Sequence, residues 1–276
     1  MTGLIDVGGG MRDVYGSGVI DCFIDNGITF DMCIGVSAGS ANIANLLSSQ
    51  RERTFRFYTE YSSRKEYMSM QNFIRTGSYF DLDYIYSTLS DEDGEDPIDF
   101  QAIISNPCPM ITVVTDAESG KSVYLGKEEI SRNDLWVIKA SCAVPGACRP
   151  FRHNGKEYFD GGISDPIPIE KAFEAGCDKV VVIMPRPAEE KKSEHSRLMK
   201  PFLKGYPAIL KLIADRPEIY NRELKILNDY ITQGKVILIS PDDDKGITMV
   251  TTDKAKLTAF YNKGYHDAEA VLDKII

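Results

Sequence analysis

Residues 32–47 read MCIGVSAGSANIANLL, and the order of residue types in this stretch predicts a strand, a sharp turn and a helix. The apolar run 32–36 is typical of a short buried strand. The small residues that follow suit a helix packed closely against its neighbours. Between the two lies a G-x-S-x-G pentapeptide, residues 35–39, in the strand–turn–helix context of a nucleophile elbow.

Ser37 is at the centre of this pentapeptide, and two roles are open for it. In an elbow, Gly35 and Gly39 let strand and helix approach closely while the serine holds a strained backbone beside the helix N-terminus. Alternatively, the serine hydroxyl only caps the helix. Since the pentapeptide occurs by chance in about one chain in ten, its context and the other motifs must decide.

The segments on both sides alternate between strand-like and helix-like patterns, which predicts an α/β protein with a largely parallel sheet. Asn154-Gly155 is the signal of a β-hairpin. We interpret the acidic segment 91–96 as a solvated loop and the charged run 188–195 as a connector or a solvated helix end. The remaining predicted strands are 2–7, 110–116, 122–125, 180–184 and 236–239, and the predicted helices are 14–26, 206–232 and 253–275.

The composition is that of an ordinary globular protein of 276 residues, 43% hydrophobic and 26% charged, with a net charge of −9. This acidic balance argues against a nucleic-acid partner, which would require a basic surface. No apolar run approaches the ~20 residues that cross a bilayer, and the first residues lack a secretory pattern. The six scattered cysteines have no metal-ligand spacing and indicate reduced thiols in a cytoplasmic protein.

A second candidate is the glycine-rich stretch Gly8, Gly9, Gly10, Met11 and Arg12, which follows the first predicted strand. It fits neither the dinucleotide fingerprint, since the third glycine is replaced by Asp13, nor a P-loop. Three consecutive glycines expose backbone N–H groups that could stabilise an oxyanion. The alternative is a flexible turn.

A third candidate is Asp160, followed by Gly161 and Gly162 directly after the predicted hairpin. Such a sequence turns sharply and leaves the carboxylate with little steric cover. The alternative, an Asx-type turn without a chemical role, is the commoner interpretation of an isolated Asp-Gly.

Taken together, these motifs resemble those of the patatin-like phospholipase family, in the family's order. They are G-G-G-x-R at 8–12, G-x-S-x-G at 35–39, A-S-x-x-x-P at 140–145 and D-G-G at 160–162. The resemblance covers roughly residues 1–190, and the opening is similar to that of small single-domain bacterial members. Asp13 departs from the family, which usually has glycine there, and this departure affects the path of the loop.

The resemblance implies a three-layer αβα fold with a mainly parallel central sheet. It further implies one domain over residues 1–276, with a mainly helical part, 191–276, packed on the motif-bearing part. By it, Ser37 is the nucleophile, Asp160 is the base, and the loop 8–12 forms the oxyanion hole through the backbone of residues 9–11. The activity implied is hydrolysis of lipid or fatty-acyl esters through an acyl-enzyme, without metal or cofactor. Peripheral membrane contact is one route to such a substrate.

Two rival interpretations remain open from the sequence. A Ser–His–Asp α/β-hydrolase would need a histidine: His266 has the right chain order but lies in a helical pattern, His153 adjoins the hairpin turn, and His195 lies in the charged run. A lipid-binding or regulatory protein of the same fold would have little turnover. Two roles also remain open for the aromatic residues of 55–86: they form an acyl-chain pocket or lid, or they are ordinary core residues. They are Phe55, Phe57, Tyr58, Tyr61, Tyr67, Phe73, Tyr79, Phe80, Tyr84 and Tyr86.

Overall fold

A computed structural model describes residues 1–188, 190 and 203–275, and within them eight strands form one sheet. Along the sheet the order is β5-β6-β3-β2-β1-β7-β8, with β4 paired to β3. Strands β1, β2, β3, β7 and β8 run parallel, whereas β4, β5 and β6 are antiparallel additions. The strands are β1 (Thr2–Asp6), β2 (Met32–Val36), β3 (Met110–Asp116), β4 (Ser122–Gly126), β5 (Phe151–His153), β6 (Lys156–Asp160), β7 (Lys179–Ile183) and β8 (Val236–Ile239).

Helices cover both faces of this sheet. They are α1 (Val14–Asp25), α2 (Ala38–Ser48), α3 (Arg53–Thr59), α4 (Met70–Thr76), α5 (Phe100–Ser105), α6 (Trp136–Ser141), α7 (Ile169–Glu174), α8 (Pro207–Thr232), α9 (Lys254–Glu269) and α10 (Leu272–Ile275). Alternate residues of β1 face opposite sides: Leu4 packs with residues of α1 and α2, and Ile5 with residues of α7 and α8. The predicted αβα fold with a mainly parallel sheet is therefore confirmed.

Strand β3 brings two distant parts of the chain together because β2 and β6 both pair with the same edge of it. Its first half pairs with β2, where Val36 lies opposite Val113, and its last residues pair with β6, where Asp160 lies opposite Val114. Strand β4 pairs with residues from both halves of β3, so it occupies the other edge of β3. Consequently the residue after β2, Ser37, and the last residue of β6 lie next to each other along one edge.

The structure differs from the sequence-based expectations in two places. The helical pattern 253–275 is divided into α9 and α10. The acidic segment 91–96 is not wholly solvated: Asp96 is buried, where it accepts hydrogen bonds from Arg56 at 2.7 and 3.0 Å and lies 3.6 Å from Arg53. An ion pair between distant segments overrode the local preference for solvent. Residues 189 and 191–195 of the predicted connector, including His195, lie outside the described residues.

Helix α9 packs against α1 at backbone distance. A Cβ at Gly18 would lie 2.0 Å from the carbonyl oxygen of Tyr261, and one at Gly264 would lie 2.0 Å from that of Tyr15. The Tyr15 hydroxyl donates to Asp267 at 2.7 Å. Glycine on both helices permits this approach, so α9 lies directly on α1.

Helix α8 is the longest, with 26 residues, and buries one side against the sheet through Tyr220, Leu224 and Leu227. In the described part of the chain, no helix is both long enough and apolar enough to span a bilayer.

Replacing Gly264 by alanine should destabilise the protein by about 1–3 kcal/mol, because the new methyl group overlaps the backbone of α1. Urea unfolding followed by circular dichroism measures the effect. Gly205→Ala is the matched control, since no atom lies within 4 Å of the added Cβ. Equal stability of the two variants would mean that the α1–α9 contact is not as close as described.

Candidate active site

Ser37 occupies a strained turn between β2 and α2. Its φ is 54° and its ψ −131°, a conformation that a residue with a side chain rarely adopts. A Cβ at Gly39 would lie 2.4 Å from the carbonyl oxygen of Asp6, and one at Gly35 2.4 Å from the Cα of Ser40. The Ser37 hydroxyl makes no capping hydrogen bond to α2 although the residue is at the N-cap. The capping interpretation therefore does not describe this serine.

Ser141 holds the turn to the neighbouring strand. Its hydroxyl accepts a hydrogen bond from the Ser37 N–H at 2.7 Å and donates to the carbonyl oxygen of Val113 at 2.7 Å. The Ser40 hydroxyl donates to the hydroxyl oxygen of Ser141 at 3.3 Å. In the sequence, Ser141 is marked only by the A-S-x-x-x-P segment, because its bridging role depends on the pairing of β2 with β3.

Asp160 ends β6 and is buried, with 6% of its surface exposed. Its Oδ1 accepts the Gly162 N–H at 2.7 Å, and its own N–H donates to the carbonyl oxygen of Ala143 at 3.0 Å. A Cβ at Gly161 would lie 2.3 Å from the carbonyl oxygen of Val113. The Asx-type turn is thus present, and it orients a carboxylate that lines the same cavity as Ser37.

The glycine-rich loop packs its backbone on the elbow. A Cβ at Gly8 would lie 2.1 Å from the carbonyl oxygen of Val36, and Gly8 has a φ of 65°. The Gly8 N–H donates to Asp6 at 3.0 Å, and the Met11 N–H donates to the carbonyl oxygen of Met249 at 3.3 Å. Among the described residues, the N–H groups of positions 9 and 10 donate to no acceptor, so these two can bind an anion.

The segment between β8 and α9 holds this loop from the other side. Gly10 lies against Met249, whose Cα is 3.2 Å from where a Cβ at Gly10 would be. Arg12 donates to Asp244 at 3.1 Å. Burial lowers the pKa of Arg12, and the nearby charge of Arg186 lowers it further. No sequence motif marks Met249 or Asp244, and only the tertiary structure brings them to the loop.

A buried carboxyl pair lies beneath the loop. Asp6 and Asp13 are fully buried, and the Asn42 amide donates to each at 3.0 Å. Burial, and then the charge of Asp6, raise the pKa of Asp13 well above its usual range. Burial raises the pKa of Asp6 to about 6, although hydrogen bonds from Gly8 and Asn42 oppose the rise. Asp13, the position at which the sequence differs from the family pattern, therefore helps to support the glycine-rich loop.

Two cavities open on Ser37. The first is mainly apolar and combines part of the aromatic cluster with residues of the loop and elbow, enclosing about 670 Å³ of atom-free space, part of it open to solvent. The second contains Asp160 and two arginines, Arg186 and Arg216. Residues that line the first include Ala38, Ala41, Phe57, Tyr58, Tyr67, Phe80, Leu82, Ile85, Tyr86 and Met249. Several of these residues also belong to the hydrophobic core. The same side chains therefore both pack in the core and line the cavity.

The described histidines lie elsewhere. The His153 ring stacks on Trp136 at 3.8 Å, and the His266 side chain is 72% exposed beside Glu269. Neither lines the cavities at Ser37. Among the described residues, no three or more His, Cys, Asp or Glu side chains are grouped so as to hold a metal ion.

Comparison with known families identifies the class of protein. The model described as patatin-like phospholipase matches residues 7–173, more than half of the chain. The chain therefore belongs to the patatin-like phospholipase family. A second model, described only as a domain of unknown function (DUF6363), matches residues 206–276.

Curated relatives agree with this assignment. The uncharacterized protein YjjU of Escherichia coli is 30% identical over 199 residues, which is 67% of this chain and 52% of YjjU. An uncharacterized NTE family protein of Mycobacterium tuberculosis is 33% identical over 82 residues, 30% of this chain and 22% of the relative. The chain thus spans about half or less of the length of these relatives. Among solved structures, VipD from Legionella pneumophila superposes with a TM-score of 0.49 at 15% identity, covering 99% of this chain and 67% of VipD.

Replacing Asp13 by asparagine should change how stability depends on pH. The unfolded chain releases the Asp13 proton above about pH 4, whereas the folded protein retains it, so the wild type loses stability as pH rises. The asparagine variant lacks this loss, at most about 1.4 kcal/mol per pH unit for one proton. Its free energy of unfolding, relative to wild type, should therefore increase by roughly 2–3 kcal/mol between pH 4.5 and 6.5.

Urea denaturation at several pH values makes this measurement. Asp93→Asn, at an exposed position, is the control and should run parallel to wild type. A constant difference between Asp13→Asn and wild type across this range would contradict a retained proton on Asp13.

Proposed function

We propose that the protein is a lipid acyl hydrolase, of phospholipase A, lysophospholipase or carboxylesterase type, that uses Ser37 and Asp160 as a dyad. The observation that carries this proposal is the strained serine, whose hydroxyl caps no helix and shares a cavity with a buried carboxylate and a glycine loop. Membership of the patatin-like phospholipase family supports activity on lipid esters.

In the proposed mechanism, the Ser37 oxygen attacks the ester carbonyl carbon while the Asp160 carboxylate accepts the hydroxyl proton. The carbonyl oxygen becomes an oxyanion, which the free N–H groups of Gly9 and Gly10 stabilise. The tetrahedral intermediate collapses, its bond to the alcohol oxygen breaks, and Asp160 returns the proton to that oxygen. Water then hydrolyses the acyl-enzyme by the same steps.

The two cavities divide the substrate between them. Because Asp160 must reach the leaving oxygen, the alcohol leaves through the cavity that contains Asp160. The acyl chain then occupies the mainly apolar cavity, where burial of each methylene contributes about 0.8 kcal/mol. The oxyanion hole predicted over residues 8–12 narrows to two donors, since the Gly8 and Met11 N–H groups have other acceptors.

We further propose a cytoplasmic enzyme that touches membranes peripherally and works without a cofactor, and two observations support the first two points. All six cysteines are free and buried. On α4, Met70 and Ile74 lie one turn apart and are 61% and 82% exposed, a small apolar surface that suits contact with lipid. We further propose that residues 1–276 form one domain, which the α1–α9 contact supports.

Ser37→Ala should abolish nearly all hydrolysis of p-nitrophenyl butyrate, and Asp160→Asn should be nearly as damaging because an amide cannot accept the proton. The double variant should be little worse than either, since the two residues act as a unit. Ser49→Ala is a matched control: Ser49 also has a positive φ, 52°, but lies at the far end of α2. Retained activity in a folded Ser37→Ala protein would remove Ser37 as nucleophile.

A fluorophosphonate probe separates the enzyme from its non-enzymatic alternative. It should label the wild type and not Ser37→Ala. A folded wild type that binds lipid but takes no label would instead be the lipid-binding protein with little turnover.

Replacing each histidine by asparagine tests the Ser–His–Asp alternative. A dyad predicts losses of a few-fold at most in kcat/KM for a short-chain ester, since His153 and His266 lie away from Ser37. A triad predicts one histidine whose loss costs about a thousand-fold or more. Such a loss in His153→Asn, His195→Asn or His266→Asn, with folding intact, would contradict the proposed dyad and support a triad.

A further inference from the structure

The cavity on the Asp160 side of the site carries a concentration of positive charge that is unusual for a chain of net charge −9. Arg186, which follows β7, and Arg216, on α8, line this cavity together with Ser37 and Asp160. The positive charge of Arg186 lowers the pKa of Arg216 and also that of Arg12 on the glycine loop. The three guanidinium groups therefore lie near one another.

These arginines differ in how they are paired. Arg12 donates to Asp244 at 3.1 Å, and Arg186 donates to Glu190 at 3.2 Å. The Nε of Arg216 is fully buried and has no hydrogen-bond partner among the described residues. Leaving a buried donor of a charged group unbonded costs more free energy than leaving a neutral donor unbonded. Arg216 is thus prepared for an acceptor that a ligand would supply.

The carboxylate on the same wall cannot serve as that acceptor throughout the reaction. Asp160 lowers the cost of the buried charge on Arg216 while it is ionised. When Asp160 takes the proton from Ser37, its negative charge is lost, and Arg216 faces the cavity with less compensation. An anion on the substrate is needed most at this stage, so it would favour the transition state over the ground state.

We propose that this cavity binds an anionic group carried by the leaving alcohol, a phosphate or a carboxylate, with Arg216 and Arg186 as its specificity-determining residues. The proposal rests on the proposed function, since the position of Asp160 defines the leaving-group side. A guanidinium presents a planar fork of donors that matches the oxygens of either anion. The substrates would then be acyl esters of acidic alcohols rather than neutral ones.

The experiment compares esters that share one acyl chain and differ in the alcohol: 1-decanoylglycerol, 1-decanoylglycerol 3-phosphate and the decanoyl ester of glyceric acid. Wild type should hydrolyse at least one of the anionic esters with a kcat/KM about tenfold or more above that of the neutral ester. The arm with the larger preference identifies phosphate or carboxylate as the anion.

Variants assign the preference to the cavity. Arg216→Gln and Arg186→Gln should each lower kcat/KM for the preferred anionic ester at least tenfold more than for 1-decanoylglycerol. Arg216→Lys keeps the charge without the fork and should retain part of the preference. Arg222→Gln is the matched control, because Arg222 is on the same helix and its side chain is 64% exposed. Equal losses on neutral and anionic esters, or no preference in wild type, would overturn the proposal.

A binding measurement keeps the two proposals distinguishable. Calorimetric titration of Ser37→Ala with the ether 1-O-decylglycerol 3-phosphate, and with 1-O-decylglycerol as the neutral probe, needs no turnover. Stronger binding of the phosphate ether that Arg216→Gln reduces tenfold or more would support the anion site even if no ester were hydrolysed. Hydrolysis without any such difference in binding or in kcat/KM would leave the proposed function standing and remove the anion site.

Discussion

The site depends on backbone packed against backbone where β1 and β2 end. No side chain separates the glycine loop from the elbow: position 8 lies against the carbonyl oxygen of Val36, and position 39 lies against that of Asp6. Because the strands are parallel neighbours, their carboxyl ends meet at one edge of the sheet, where ligands bind in such folds. The strain of Ser37 is tolerated there because both flanking segments and Ser141 fix its backbone.

The residues to which we assign chemical roles could be proposed from the sequence because each lies in a local motif. The triple glycine, the elbow serine and the Asp-Gly-Gly turn need only their immediate neighbours for recognition, and the bounds of β2, β3 and β8 followed from apolar runs. Ser37 and Asp160 lie at one edge of β3 because β3 pairs first with β2 and then with β6 along that edge. No local sequence pattern encodes this change of partner. The assignment of the dyad to these residues came from the resemblance, and the structure adds the edge that joins them.

Other parts of the site could not be predicted, for physical reasons. Asp13 is adjacent in sequence to the loop, but its buried partner Asn42 is on the next helix, and pairing of polar groups across helices leaves no periodic signal. The contacts of Met249 and Arg216 arise from a C-terminal part that a separate family model covers. Asp96 shows the same limit: its acidic neighbours favour solvent, whereas Arg53, Arg56 and Tyr61, on another segment, compensate its buried charge.

The α1–α9 contact also has a consequence for the order of events during synthesis. Asp21 on α1 accepts a hydrogen bond from the Tyr261 hydroxyl, 240 positions later in the chain. At ~5–20 residues per second, a ribosome needs roughly 10 to 50 s to deliver α9 after α1 has emerged. Throughout that interval the surface of α1 that contacts α9 lacks this native partner, and the segment between β8 and α9, which contains Met249, has not yet been synthesised. The serine elbow therefore acquires its complete surroundings only after the chain has been synthesised through α9.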